Sequence, residues 1–209
     1  MIPVERKSEP PGFDTEVRQP GKNWIIQKGL PTTGPVPPKT KFEPFWEKCA
    51  IDLRKFYSRY CAFVAVYIPP VVGNPTCEHF LPKSKYAEHV YEWDNYRLVC
   101  GTMNGRKGMH MDVLDPFQIS NGTFQLTRSL IVEPGDLLAN PSAIRTEAIN
   151  TISRLKLNDC ECMALRERDW TLFVNRQISA TALKENSPFV YSEMVRLGVV
   201  DPNLIGLLP

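Results

Sequence analysis

Nine of the nineteen prolines of this 209-residue chain fall within residues 1–44. Because proline fixes φ and lacks a backbone N–H group, such a stretch is a poor candidate for a long helix or a central strand. We therefore predict an extended arm over residues 1–44, with a disordered tail as the alternative. The apolar cluster Trp24-Ile25-Ile26 indicates that part of the arm docks on the body of the protein or on a partner.

The remaining sequence alternates between helical and extended patterns. Apolar residues at three- and four-residue steps predict a helix over residues 42–60. β-branched and aromatic runs predict strands over residues 61–68 and 76–80. Ser142 is a candidate N-cap for a long helix, and amphipathic segments follow at 160–182 and 187–197. These patterns predict an α+β protein with a core over residues 45–120, which includes its preceding helix, and a mostly helical region over residues 121–209.

The charge and hydrophobicity of the chain are those of an ordinary globular protein. Its net charge of +2 neither supports nor excludes binding to nucleic acid, because an enzyme that touches few phosphates needs no large positive charge. We find no apolar run of about 18 residues that would predict a transmembrane helix, and the first residues lack the apolar core of a signal peptide. We therefore expect a cytoplasmic protein with no membrane partner, whose six cysteines are thiols rather than disulfides.

Three segments carry the residues suited to chemistry: CEHFLPKS at 77–84, YEWDNYRLVC at 91–100 and MNGRKG at 103–108. Hydrolysis of a phosphodiester with one metal ion needs a base for the attacking water, a cation at the phosphate and a group that orients the base. A bend after the first strand would let Glu78 reach the metal and His79 reach the water. Asn95 could orient the imidazole through its side chain or through the backbone that it organises. Asn104 can supply the second oxygen ligand that suits Mg²⁺.

Basic residues accompany this set. Arg106 and Lys107 follow Asn104 directly, and Lys83 follows the Glu-His pair. All three are predicted to contact the phosphates of a nucleic acid.

These residues resemble the HNH endonuclease family over residues 61–117, because the order and spacing of His79, Asn95 and Asn104 fit its H-N-N variant. The resemblance implies a ββα-metal core of two strands and one helix around Mg²⁺ or Mn²⁺, with His79 as the general base. It also implies an endonuclease, with DNA favoured over RNA as the substrate. Glu-His-Phe-x-Pro-Lys followed by Tyr-x-Trp-x-Asn is similar to small HNH nucleases of bacterial antiviral defence, which implies an ATPase or sensor protein as a partner.

One feature of the family is missing. Many members hold a structural zinc with two Cys-x-x-Cys pairs, whereas here Val64 follows Cys61 at the third position and Met103 follows Cys100. We therefore expect no structural zinc. A metal held by Cys61, Cys77 and Cys100 with an unidentified fourth ligand is the alternative.

Simpler explanations exist for individual residues. Asn104-Gly105 would also suit a type I′ hairpin turn, and Asn95 would suit a turn before a strand. His110 and Asp112 could form a second metal pair, although a strand with one polar face explains their alternation with methionine.

Two other functions compete with the nuclease. The chain could be a catalytically silent nucleic-acid-binding module, but the presence of His79, Glu78 and Asn104 argues against lost activity. It could also be the effector subunit of a larger defence complex, with residues 1–44 and 142–198 as surfaces for its partner.

Overall fold

The computed structural model describes residues 1–136, 138 and 142–201, and the fold is of the α+β class. The chain divides into two compact units. The first unit consists of Glu5–Tyr60 and Ile68–Met111, and the second consists of Met1–Val4, Cys61–Tyr67 and Asp112–Pro209. Within the described ranges, no helix is long and apolar enough to span a membrane.

The first unit contains three α-helices, two strands and several short turns of other helix types. Helix α1 spans Gln19–Gln27 and follows a π-helical turn at Asp14–Arg18. Helix α2 spans Ala50–Phe56 and follows a 3-10 helix at Phe45–Cys49. Strand β1 spans Pro75–His79, strand β2 spans Tyr96–Cys100, and helix α3 spans Gly101–Lys107, with 3-10 turns at Ala87–His89 and Trp93–Asn95 between the strands.

The second unit is mostly helical. In its described part, a small sheet pairs β3, Phe124–Leu126, with β4, Val132–Pro134. Four helices follow there: α4 at Ala143–Arg154, α5 at Cys160–Val174, α6 at Ala180–Asn186 and α7 at Pro188–Arg196. The predicted cap of α4 is confirmed, since the Ser142 side chain accepts a hydrogen bond from the Arg145 N–H group. The single helix predicted over residues 160–182 is instead α5 and the start of α6, which has its own cap at Ser179.

Residues 1–44 are not an extended arm throughout, because α1 and the π-helical turn lie within them. Pro20 is the second residue of α1, which continues directly from the π-helical turn, where the Gln19 N–H group donates to the Asp14 carbonyl. Phe13, Val17 and Ile25 are buried. Residues 5–44 are therefore part of the first unit and contribute to its core.

The strand predicted over residues 61–68 is wrong. The segment turns back on itself, with Ala65 in the left-handed region at φ 50° and the Ala65 N–H group donating to the Cys61 carbonyl. Cys61, Phe63 and Ala65 are buried. The apolar run therefore reflects burial rather than extended backbone.

Strands β1 and β2 pair antiparallel, with Pro75 opposite Cys100 and His79 opposite Tyr96. Helix α3 begins at the residue after β2 and packs on both strands. The side chains of Leu98, Val99 and Met103 are buried in this small ββα arrangement. It brings the end of β1 and one face of α3 to a common pocket.

Candidate active site

A pocket of about 580 Å³ lies in the first unit at the end of β1. Glu78 and His79 are the last two residues of β1, and both line this pocket although each is almost fully buried. Successive side chains of a regular strand point to opposite faces. The end of the strand at His79 is therefore consistent with the predicted bend that brings the pair to one site.

The His79 ring is held in one orientation. Its Nε2 atom lies 2.9 Å from the Val90 carbonyl oxygen, and because a carbonyl can only accept, Nε2 carries the proton. The rings of Trp46 and Tyr96 meet the imidazole edge-on, with centroids 4.7 and 5.0 Å away. In a neutral ring of this tautomer, Nδ1 is unprotonated and can accept a proton.

The environment of His79 favours its neutral form. Burial, followed by the positive charge of Lys83, holds the pKa of His79 well below its usual value of 6.5. The imidazole is therefore neutral at physiological pH, as a general base must be.

Glu78 is paired with a lysine that is itself buried. Its Oε1 atom lies 3.0 Å from Nζ of Lys107, which also donates to the backbone carbonyls of His79 and Phe80. Burial raises the pKa of Glu78, and the Lys107 charge opposes this rise. The pair places the Glu78 carboxyl group in the same pocket as the imidazole.

Asn104 supplies a neutral oxygen to the same pocket. Thr76 donates its hydroxyl proton to the Val99 carbonyl at 3.1 Å, so it accepts the bond from Nδ2 of Asn104 at 2.9 Å. This chain of hydrogen bonds fixes the orientation of the amide, so that Oδ1 is the oxygen that could bind a cation. Asn104 lies inside α3, so the alternative hairpin turn at Asn104-Gly105 is wrong.

The donor set fits a hard divalent cation. Mg²⁺ prefers oxygen ligands and retains waters, so the Glu78 carboxylate and the Asn104 amide suffice once a phosphate is added. Across residues 1–136, 138 and 142–201, no three His, Cys, Asp or Glu side chains are gathered as a metal cluster. Cys61 belongs to the second unit, whereas Cys77 and Cys100 belong to β1 and β2 of the first.

Asn95 acts on the loop between the strands and makes no direct contact with the imidazole. Its Oδ1 accepts from the Leu81 N–H group at 2.7 Å, and its Nδ2 donates to the carbonyls of Leu81 and His89. Val90, whose carbonyl orients His79, directly follows His89. Asn95 thus holds the backbone next to Val90, which is the second of the two arrangements that the sequence allowed.

The three predicted phosphate contacts differ in position. Lys83 lines the pocket, with Nζ 4.1 Å from the centroid of the Trp46 ring. Lys107 is fully buried against Glu78 and is therefore not available to a phosphate in this arrangement. Arg106 lies on α3 outside the pocket lining.

The proposed second metal pair is not supported by the positions of its members. His110 is exposed and does not line the pocket. Asp112 belongs to the second unit, where its carboxylate lies 2.9 Å from Arg154.

Sequence reasoning missed three parts of the site. Trp46 appeared only as one apolar position of a predicted helix, and the Val90 carbonyl has no side-chain signal at all. The segment 36–42, which contains Lys39 and Lys41, also lines the pocket. The sequence feature that could have indicated this segment is the pair Lys39 and Lys41, which stands between two prolines and Phe42.

Comparison with models of known protein families finds no match to this chain, and comparison with curated proteins finds none either. The chemistry of the site is therefore inferred from its own residues.

Proposed function

We propose that this protein is a metal-dependent endonuclease of the HNH type that hydrolyses phosphodiester bonds in DNA. The observation that carries the proposal is the buried His79, whose Nε2 lies 2.9 Å from the Val90 carbonyl, in one pocket with Glu78 and Asn104. A base, an anionic oxygen and an amide oxygen at one site are what hydrolysis with a single metal ion requires. The pairing of β1 with β2, followed by α3, agrees with the ββα-metal core of that family.

His79 performs the proton transfer in this proposal. Its Nδ1 takes a proton from water as the water oxygen bonds to phosphorus and the bond to the leaving oxygen breaks. The Val90 carbonyl stabilises the resulting imidazolium by accepting from Nε2–H. A divalent cation on Glu78 and Asn104, Mg²⁺ or Mn²⁺, would polarise the phosphate and stabilise the leaving oxygen.

The decisive experiment is cleavage of supercoiled plasmid with Mg²⁺ or Mn²⁺ by the wild type and by His79→Ala, with an EDTA control. We expect the wild type to nick or linearise the plasmid and both controls to leave it intact. Full activity of His79→Ala would identify a different base. An intact plasmid after incubation of the wild type with either metal would contradict the nuclease.

Metal binding is tested separately by calorimetric titration with Mn²⁺. Asn104→Ala should weaken binding because it removes the amide oxygen, whereas Asn104→Asp retains an oxygen at that position. His79→Ala should bind Mn²⁺ as the wild type does, since His79 is assigned to the water. Unchanged affinity in Asn104→Ala would remove Asn104 from the ligand set.

A further inference from the structure

The pocket has a second wall that the proposed mechanism does not use. We name residues 36–42 the lysine strap; six of its members line the pocket together with Glu78, His79 and Asn104, namely Val36, Pro37, Lys39, Thr40, Lys41 and Phe42. The strap is far from β1 in the sequence. Its position beside the catalytic residues therefore results from specific anchoring.

Both ends of the lysine strap are attached to the loop that orients His79. At the first end, the Val36 N–H group donates to the Ser84 carbonyl at 3.1 Å. At the second end, the Phe42 ring meets the Tyr91 ring edge-on at 6.4 Å, and the Tyr91 hydroxyl donates to the Glu43 carbonyl. Residues 37–41 are thus held at the pocket from both sides.

The middle of the strap contains a strained lysine. Lys39 has φ 66°, at the third position of a turn in which the Thr40 N–H group donates to the Pro37 carbonyl. Glycine is the usual residue there, because a side chain in the left-handed region costs about 1 kcal/mol or more. Neither Lys39 nor Lys41 forms an ion pair within the part of the chain that is described, and both are exposed. A strained cation without an ion pair at the edge of a pocket indicates that the residue binds a ligand rather than stabilises the fold.

The pocket carries an excess of positive charge. Lys39, Lys41 and Lys83 line it, and Glu78 is the only acidic side chain among its described lining residues. The charge of Glu78 is already offset by Lys107. The local excess therefore matches a polyanion, although the whole chain carries only +2.

We propose that Lys39 and Lys41 of the lysine strap bind the backbone phosphates that flank the scissile phosphate and so hold the substrate strand against His79. The inference rests on the proposed nuclease function for the identity of the ligand. Contacts of this kind carry no base specificity, but they set the register of the strand on the protein.

The test measures binding of the full-length protein to a short fluorescein-labelled DNA duplex by anisotropy, with Ca²⁺ in place of Mg²⁺, over about 50 to 200 mM salt. Lys39→Gly/Lys41→Ala is compared with the wild type and with Lys55→Ala, which removes an exposed lysine of α2 outside the pocket. The logarithm of the affinity falls as the logarithm of the salt concentration rises. Each phosphate contact that is lost should reduce the steepness of this fall by about 0.9. We expect a slope smaller by about two in the double variant and an unchanged slope in Lys55→Ala.

A folding defect is separable from a binding defect at Lys39. Glycine adopts the left-handed conformation without strain, so Lys39→Gly should unfold at the same temperature as the wild type or above it. Weaker binding without lower stability supports the phosphate contact. An unchanged salt slope in the double variant overturns it.

Plasmid cleavage on the same preparations separates the two proposals. If the wild type cuts and the double variant binds and cuts equally well, the lysine strap has no role and the nuclease stands. The wild type could instead bind with a steeper salt dependence than the double variant but cut the plasmid with neither metal. The proposed nuclease function would then be wrong, and the lysine strap would remain a phosphate-binding surface. A wild type that does not bind the duplex overturns both.

Discussion

Val90 and His79 are joined by a hydrogen bond of 2.9 Å between the Val90 carbonyl and Nε2 of the imidazole, although eleven residues separate them. Tyr96 donates its hydroxyl proton to the same carbonyl oxygen at 3.0 Å. The two donors approach one acceptor, which fixes the position of the carbonyl and the tautomer of the ring together. The imidazole is therefore held in one orientation and one tautomer.

The first prediction concerns the protonation of His79. Because burial and Lys83 hold its pKa well below 6.5, the metal-free protein should keep a neutral ring as the pH falls from 7.5 to 6. Nitrogen NMR should show a protonated Nε2 and an unprotonated Nδ1 across this range, with the signals assigned by their loss in His79→Asn. A ring that becomes doubly protonated with a midpoint near 6.5 would contradict the prediction.

The second prediction concerns the buried pair of Lys107 and Glu78. Lys107→Met leaves the Glu78 carboxylate buried without its cation, which should lower the free energy of unfolding by about 3 to 5 kcal/mol in urea denaturation. Glu78→Gln/Lys107→Met removes both charges and should recover part of this loss, because the carbonyls of His79 and Phe80 still lack their bonds from Lys107. Lys85→Met, at an exposed lysine, is the control and should change stability by less than about 0.5 kcal/mol. If Lys107→Met were as stable as Lys85→Met, the ion pair of Lys107 and Glu78 would not stabilise the fold.

Strand β1 and helix α4 could be predicted because one local pattern decides the backbone of each. The strand predicted over 76–80 appears as Pro75–His79, and the cap at Ser142 begins α4. By contrast, the proline count of residues 1–44 gave the wrong structure for part of that segment. Pro20 lies where the π-helical turn passes into α1, so a high proline count does not exclude a helix in this segment.

The residues of the candidate site could be predicted where they lie close together in the sequence as well as in the structure. Glu78 and His79 follow one another, and Asn104 was identified from its spacing to them. Residues three apart in a helix share a face, so Lys107 lies on the same face of α3 as Asn104. It turned toward Glu78 rather than toward solvent, because a buried carboxylate needs a partner. Trp46 reaches His79 only through tertiary packing, which spacing along the chain does not encode.

The third prediction concerns Asn95 as a positioning residue. Asn95→Ala removes three hydrogen bonds that hold the loop from Leu81 to His89, which should lower the free energy of unfolding by about 2 to 4 kcal/mol. At a temperature where the variant is folded, the maximal cleavage rate should fall while Mn²⁺ affinity is retained, because Glu78 and Asn104 are unaltered. Nitrogen NMR of His79 should also change as the Val90 carbonyl moves. A variant with normal rate and unchanged imidazole signals would show that Asn95 does not act on the base.

The last prediction concerns Gly21, which packs directly on an aromatic ring behind the site. A Cβ atom at Gly21 would lie 2.2 Å from Cγ of Tyr91, and that ring is held by its hydroxyl bond to Glu43 and by stacking at 6.1 Å on Trp46. Gly21→Ala should therefore destabilise the protein by about 1 to 3 kcal/mol, despite the higher helix propensity of alanine. Since Trp46 in turn contacts His79, the cleavage rate of the folded variant should fall as well. Gly105→Ala is the matched control, because its added Cβ meets no atom within 4 Å and should stabilise α3 by about 0.5 to 1 kcal/mol. A gain of stability in both variants would mean that Tyr91 moves aside without cost, and that the aromatic contacts behind His79 do not fix its position.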